Sequence, residues 1–216
     1  MVLSRSELAR SVAAGGLGPT FRFLNRRRIA VCVYHGFTDR DHGGIVNYHG
    51  KSLPIGVFET QLLHMKKHFS ICSLDEALAM IAADGRVPPN SLVVTIDDGY
   101  RSNYELAYPL LRRYQIPATI FVATSFVEDG RFLWFDRLEF AISATQVKTL
   151  TLRAQDTEEV TFVVNTLEER RRACHSMKGI LKKMPPAAIE ESVGDIEAQA
   201  GHCLAQDRSP PELFQP

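Results

Sequence analysis

Hydrophobic and polar positions along the chain predict alternating strands and helices between residues 29 and 123. Short runs of apolar and β-branched residues predict strands at 29–34, 92–96 and 118–123. Apolar residues recurring about every 3.6 positions, or capping residues, predict helices at 54–69, 73–83 and 103–114. The first strand is apolar throughout and is predicted to be buried. Strand–helix–strand alternation with short connections predicts a parallel α/β fold.

A different pattern begins after Trp134. Residues 136–144 are predicted to be helical, and two alternating runs at 147–153 and 159–164 predict an antiparallel hairpin. Two polar helices follow. The predicted organisation has three parts, namely an N-terminal helical segment (1–28, with short helices at 4–14 and 20–27), an α/β portion (29–145) and an inserted or appended α+β lobe (146–216).

Composition narrows the possible functions. The chain has 216 residues, 45% of them hydrophobic, and 25 basic residues balance 25 acidic ones, so a nucleic-acid partner is not expected. No apolar run approaches the roughly 18–20 residues of a membrane span, which predicts a cytoplasmic protein, with association with the cell envelope left open. The cysteines are predicted to be reduced because none stands in a C-x-x-C pair: Cys32, Cys72, Cys174 and Cys203.

Two neighbouring carboxylates end the predicted strand 92–96. Asp97 and Asp98 lie where ligands collect in parallel α/β folds, and Gly99 permits the strand to break so that both can face one cavity. A divalent cation would relieve their repulsion and could lower the pKa of bound water from ~15.7 to ~7. The simpler interpretation is that the pair caps the following helix. Tyr100 and Asn103, with the strand beyond, favour the metal site.

The segment Thr95–Tyr100 resembles the first motif of the carbohydrate esterase family 4, or NodB-homology, polysaccharide deacetylases, in which Phe usually replaces Ile96. The resemblance runs from about Ala30 to Ile142. Its other matching segments are Val33–Gly36, Phe58–Leu62, Ser73–Ala77, Ala107–Leu111 and Ile116–Val122.

This resemblance implies an irregular (β/α) barrel and hydrolysis of acetyl groups on N-acetylated or O-acetylated polysaccharides. It implies that Asp97 is the catalytic base and that Asp98 ligates a divalent metal, with zinc expected. Tyr34-His35 resembles the signature of a subgroup that includes poly-N-acetylglucosamine deacetylases, which implies that His35 is the general acid. An imidazole with an ordinary pKa of ~6.5 suits that role.

The resemblance also requires two metal-ligating histidines in an H-S/T-x-x-H segment downstream of the acidic pair. Only His175 and His202 follow Asp98, and neither fits that pattern. We therefore expect an incomplete barrel and metal site, as in the N-terminal part of a longer deacetylase, and little activity from residues 1–216 alone.

Other histidines could supply metal ligands. For the first two sets below, the sequence also gives an argument against that role. Lys66 and Lys67 stand between His64 and His68, and their charges would repel a metal. The pairs Cys174-His175 and His202-Cys203 lie on predicted helices, where adjacent side chains diverge by about 100°. His42 and His49 lie on the loop predicted at 38–54, a long loop of the kind that is more often functional than idle.

Two other functional classes stay open. A non-catalytic deacetylase-like module could bind glycan or protein through the 146–216 lobe. Alternatively, Asp97 and Asp98 could form a Mg²⁺-assisted phosphoryl-acceptor site, but that class requires a lysine at a later strand end, and the sequence offers none.

Overall fold

A computed structural model of the protein describes residues 18–42, 44–83, 87–153, 159–207 and 211–216. The first half contains α1 (Gly18–Asn25), β1 (Ala30–Tyr34), β2 (Gly36–Thr38), β3 (Ser52–Pro54), α2 (Ile55–His68), β4 (Ser70–Ile71), α3 (Leu74–Ala83) and β5 (Ser91–Asp98). The second half contains a π-helical turn (Asn103–Ala107), α4 (Tyr108–Tyr114), β6 (Thr119–Val122), α5 (Thr124–Val127), α6 (Trp134–Ala144), β7 (Thr149–Leu152), β8 (Val160–Val163), α7 (Leu167–Leu181) and α8 (Pro186–Ala200). Two 3₁₀ turns follow at Leu204–Gln206 and Glu212–Phe214.

The main sheet is parallel and is organised around β5. Strand β1 pairs along one edge of β5, and β4 and β6 pair along the other, so the described strands form an open sheet. The mixed α/β class is thereby confirmed. Closure into an irregular (β/α) barrel stays a prediction.

The two largest of the four hydrophobic cores in the described residues hold most of the elements together. One lies between the sheet and the helices α2 and α4, where Phe58 and Leu62 pack with Val94 and Ile96. The other joins α6 to the predicted lobe by packing residues from α6, β7, β8, α7 and α8. The predicted hairpin is confirmed as the antiparallel pair β7–β8. The domain boundaries at 29 and 146 stay a prediction.

Local signals in the sequence account for several helix ends. The predicted capping box is confirmed, because the Glu76 N–H donates to Ser73 Oγ and the Ser73 N–H donates to Glu76 Oε2. The predicted helix 103–114 begins as a π-helical turn, and Pro109, which has no N–H, lies just after it. The helix predicted at 4–14 lies outside the described residues.

One prediction about the first strands is wrong, and another fails only in part. Strand β1 is predicted to be buried, yet Val31 and Val33 are each 53% exposed, because among the described residues no element covers the face of the sheet on which they lie. The loop predicted at 38–54 is confirmed for residues 39–42 and 44–51, which form neither helix nor strand, and is wrong only at its ends, which form the parallel pair β2–β3. Gly36 permits that pairing, since a Cβ there would lie 2.5 Å from Ser52 Oγ.

Of the helices in the described residues, none is both long enough and apolar enough to cross a membrane.

Candidate active site

Parallel pairing of β1 with β5 sets the geometry of the candidate site. Tyr34 lies opposite Ile96, so the residues that follow them, His35 and Asp97, both come at the carboxyl edge of the sheet. The ends of both strands therefore contribute to one region, as expected for ligand sites in parallel sheets.

A backbone break at the end of β5 brings the two aspartates together. Adjacent side chains on a strand point to opposite faces, but Asp98 (φ 75°) and Gly99 (φ 88°) take left-handed conformations that interrupt the alternation. Gly99 also has little room for a side chain, because an added Cβ would lie 3.0 Å from side-chain atoms of Val122 and Val127, which would have to shift. The backbone conformation therefore favours glycine there, and the tight packing adds to that preference.

Both carboxylates line one broad cleft of about 590 Å³. Its other lining residues are Val31, Val33, Leu74, Thr95, Phe121, Val122 and Ala123. His35 is not one of the lining residues, although its charge lowers the pKa of Asp98 and is therefore within electrostatic reach. The catalytic and metal-binding roles expected of these three residues stay predictions.

Burial is the main influence on the ionisation of Asp98. It raises the pKa of this carboxyl, and Asp97 raises it further, whereas His35 and Lys51 lower it. Asp98 Oδ2 is buried and has no hydrogen-bond partner among the described residues. A buried acceptor of this kind suits a bound cation or a proton, so the Asp98 side chain fits its expected role as a metal ligand.

The rest of a metal site is not assembled in the described part of the chain. No three His, Cys, Asp or Glu residues converge there as a possible ligand group. The downstream histidines lie apart, with His175 beside His49 (ring centroids 5.5 Å apart) and His202 against Phe140 (6.5 Å). The centroids of the His64 and His68 rings are 4.5 Å apart, but no third ligand residue joins them among the described residues.

A buried ionic network behind the acidic pair escaped sequence reasoning. Asp136 on α6 is fully buried, forms an ion pair with Lys51 Nζ, and accepts a hydrogen bond of 2.7 Å from the Tyr100 hydroxyl. The Lys51 ammonium lies 4.7 Å from the centroid of the Tyr100 ring. This network fixes the residue that directly follows Asp97-Asp98-Gly99. No local feature of the sequence signals the network, because Trp134–Ile142 also contains the charged residues Arg137 and Glu139.

Two further contacts fix the ends of the neighbouring strands. The Phe37 N–H donates to Ser102 Oγ at 3.0 Å. The side-chain nitrogen of Asn103 donates to the His35 carbonyl oxygen at 2.7 Å, and its side-chain oxygen accepts from the Tyr100 N–H at 3.3 Å. The turn after β5 is therefore attached to the segment after β1, which holds the His35 backbone against the turn that follows the acidic pair.

Comparison with known proteins gives partial matches. The polysaccharide deacetylase family matches residues 84–184. A poly-β-1,6-N-acetyl-D-glucosamine N-deacetylase of Staphylococcus aureus is 33% identical over 75 residues, which are 35% of this chain and 26% of that protein. The polysaccharide deacetylase-type protein YxkH of Bacillus subtilis is 35% identical over 99 residues, which are 44% of this chain and 32% of that protein. The aligned region thus spans about a quarter to a third of these curated relatives.

Solved structures also overlap with the chain. A de-N-acetylase from Aggregatibacter actinomycetemcomitans shares 16% identity, with a TM-score of 0.44, over 81% of this chain and 76% of that one. The Streptococcus pyogenes deacetylase PplD shares 17% identity, with a TM-score of 0.41, over 81% of this chain and 70% of that one.

Replacing Lys51 should destabilise the protein strongly. Lys51→Met leaves the Asp136 carboxylate buried without its cation, and we expect a loss of about 3–5 kcal/mol in the free energy of unfolding, measured by urea denaturation. The double variant Lys51→Met, Asp136→Asn should lose less stability, because burying a neutral amide is less unfavourable than burying a carboxylate without its cation. Lys67→Met, at an exposed lysine of α2, is the control and should change stability by less than about 0.5 kcal/mol. A Lys51 variant as stable as the control would contradict this account.

Asp98→Asn should stabilise the fold in a pH-dependent way. The pKa of Asp98 is higher in the folded protein than in the unfolded chain. Between these two pKa values the folded protein therefore binds more protons than the unfolded chain, and its stability falls as pH rises. Above the higher pKa the Asp98 carboxylate destabilises the fold, and below the lower pKa it has no such effect. Urea denaturation should show a larger advantage of the variant at pH 7 than at pH 3.5. An equal advantage at both pH values would show that the left-handed backbone, and not charge burial, is responsible.

Proposed function

We propose, from the relationship of residues 84–184 to the polysaccharide deacetylases, that this protein takes part in removing acetyl groups from N-acetylated or O-acetylated sugars. The observation that supports the proposal most directly is the pair of carboxylates on one cleft, one of them with a buried oxygen that lacks a partner. By analogy with the relative from S. aureus, poly-β-1,6-N-acetylglucosamine is the proposed substrate.

Each of the three site residues has a proposed role in the reaction. Asp97, which lies open to the cleft, takes a proton from the attacking water. His35, beside Asp97 in the strand register, gives a proton to the leaving nitrogen or oxygen as its bond to the acetyl carbon breaks. The water oxygen is retained in the acetate. The two proton transfers balance, since one group accepts a proton and the other donates one.

Asp98 is the proposed ligand for a divalent cation, with zinc expected. When bound, such a cation polarises the acetyl carbonyl and lowers the pKa of a coordinated water. The described residues supply one well-suited ligand and not a complete set, so full metal affinity would need ligands from outside them.

That shortage of ligands also favours a second candidate function. A deacetylase-like module without turnover could bind acetylated glycan or a protein and leave hydrolysis to another polypeptide. The two candidates differ in one measurable respect, the release of acetate.

The proposed function can be tested by measuring acetate release from β-1,6-linked N-acetylglucosamine oligomers with added Zn²⁺. We expect residues 1–216 to release acetate slowly, and Asp97→Asn to lower the rate at least about 100-fold, because that side chain accepts the proton. Asp195→Asn, on α8, is the control and should retain the original rate.

Each outcome separates the candidates. Equal rates in the original and Asp97→Asn proteins would rule out Asp97 as the base. Binding of the oligomer with no acetate release in any form would favour the non-catalytic module. Turnover as fast as that of the complete relatives would show that residues 1–216 already hold a full site.

A further inference from the structure

A cluster of basic side chains lies where helix α7 meets the loop between β2 and β3. His49 on that loop and His175 on α7 are both exposed, and the centroids of their imidazole rings are 5.5 Å apart. Lys178 and Lys182 follow His175 by three and seven positions, so the three side chains lie on one face of the helix. Residues from two separate elements therefore converge in this cluster.

Hydrogen bonds hold the loop against α7. The Arg171 guanidinium donates to the Gly44 carbonyl oxygen at 3.2 Å. Glu139 on α6 accepts from the Asn47 N–H at 2.7 Å and from Lys178 Nζ at 2.8 Å, so each of its carboxylate oxygens has a donor. These contacts fix the two imidazoles relative to each other.

Positive charge predominates around His49. Burial lowers the pKa of His49, and the charges of Lys178 and His175 lower it further. Lys182 also lowers this pKa, and Glu139 is the one described group that raises it. Because Glu139 is already paired with Lys178, the uncompensated positive charge of the described cluster resides on Lys182 and on the two imidazoles when they are protonated.

We propose that His49, His175 and Lys182 form a binding site for a tetrahedral dianion of the phosphate class, occupied when the imidazoles are protonated. Imidazolium and ammonium groups are charged donors, and their hydrogen bonds to oxyanions are among the strong ones. Rings whose centroids are 5.5 Å apart can both donate to oxygens of one such anion. The three residues are not part of the cleft lining, so the site does not depend on the proposed function.

A transition-metal ion is a poorer ligand for the same two imidazoles. Neutral imidazole binds such ions, but the charges of Lys178 and Lys182 would repel a cation. The described residues also bring no third His, Cys, Asp or Glu to the pair. A bound metal is therefore an outcome of the test and not the proposal.

NMR titration of the full chain with sodium sulfate tests the proposal, because sulfate keeps the same charge at pH 6 and pH 8. The ring signals of His49 and His175 are followed, with sodium chloride at equal ionic strength as the reference. We expect saturable shifts of both rings in sulfate, with a dissociation constant at least about five-fold lower at pH 6 than at pH 8, because protonation adds positive charge near the anion. Inorganic phosphate should compete with sulfate, and His49 should titrate at a higher pH in sulfate than in chloride.

Two variants and a matched control separate a defined site from general charge. Lys182→Gln should weaken sulfate binding at least about three-fold, and the double variant His49→Gln, His175→Gln should remove its pH dependence. Lys183→Gln removes the same charge from the next residue, which is also exposed, and should leave the affinity unchanged.

Several outcomes would overturn the proposal. One is an equal loss of affinity in the Lys182 and Lys183 variants, and another is ring shifts no larger in sulfate than in chloride. Saturable binding of Ni²⁺ without binding of sulfate would identify a metal site instead. Binding to phosphatidylglycerol vesicles without binding of sulfate would identify a surface for anionic lipid and not a site for one dianion.

Discussion

The register between β1 and β5 is the constraint on which the candidate site depends. With Tyr34 opposite Ile96, His35 and Asp97 emerge together at one edge of the sheet. A shift of one residue would turn the side chains of β1 to the opposite face and separate this pair. The register is maintained by apolar packing beneath the sheet and by the Asn103 contact to the His35 carbonyl. Packing far from the cleft thus decides which polar groups can act together.

Burial of charge near the acidic pair comes at a cost to stability. Asp98 is held where ionisation is disfavoured, and Asp136 behind it is fully buried with Lys51 as its counter-ion. Buried ion pairs contribute little net stability but fix geometry, since removing one partner leaves the other uncompensated. Here the fixed element is Tyr100, through its hydrogen bond to Asp136. The network therefore positions the turn that carries both aspartates. The stability lost by burying these charges is typical of functional sites.

Local features of the fold were predictable from the sequence, and long-range ones were not. The capping box at Ser73, the strand that ends in Asp97 and the break at Gly99 depend on neighbouring residues, so their patterns predicted them. The Lys51–Asp136 pair joins residues 85 positions apart, and nothing local to either indicated it. The exposure of β1 was also not predictable, because an apolar run looks the same whether other elements cover one face of its strand or both.

Paramagnetic NMR with Mn²⁺ tests most directly whether the acidic pair binds a cation within reach of His35. Carboxylate oxygens suit Mn²⁺, and bound Mn²⁺ broadens the signals of nearby nuclei. The account predicts selective broadening of the His35 and Gly99 amide signals, lost in Asp98→Asn. Broadening centred on His64 and His68, or broadening that Asp98→Asn leaves unchanged, would contradict it.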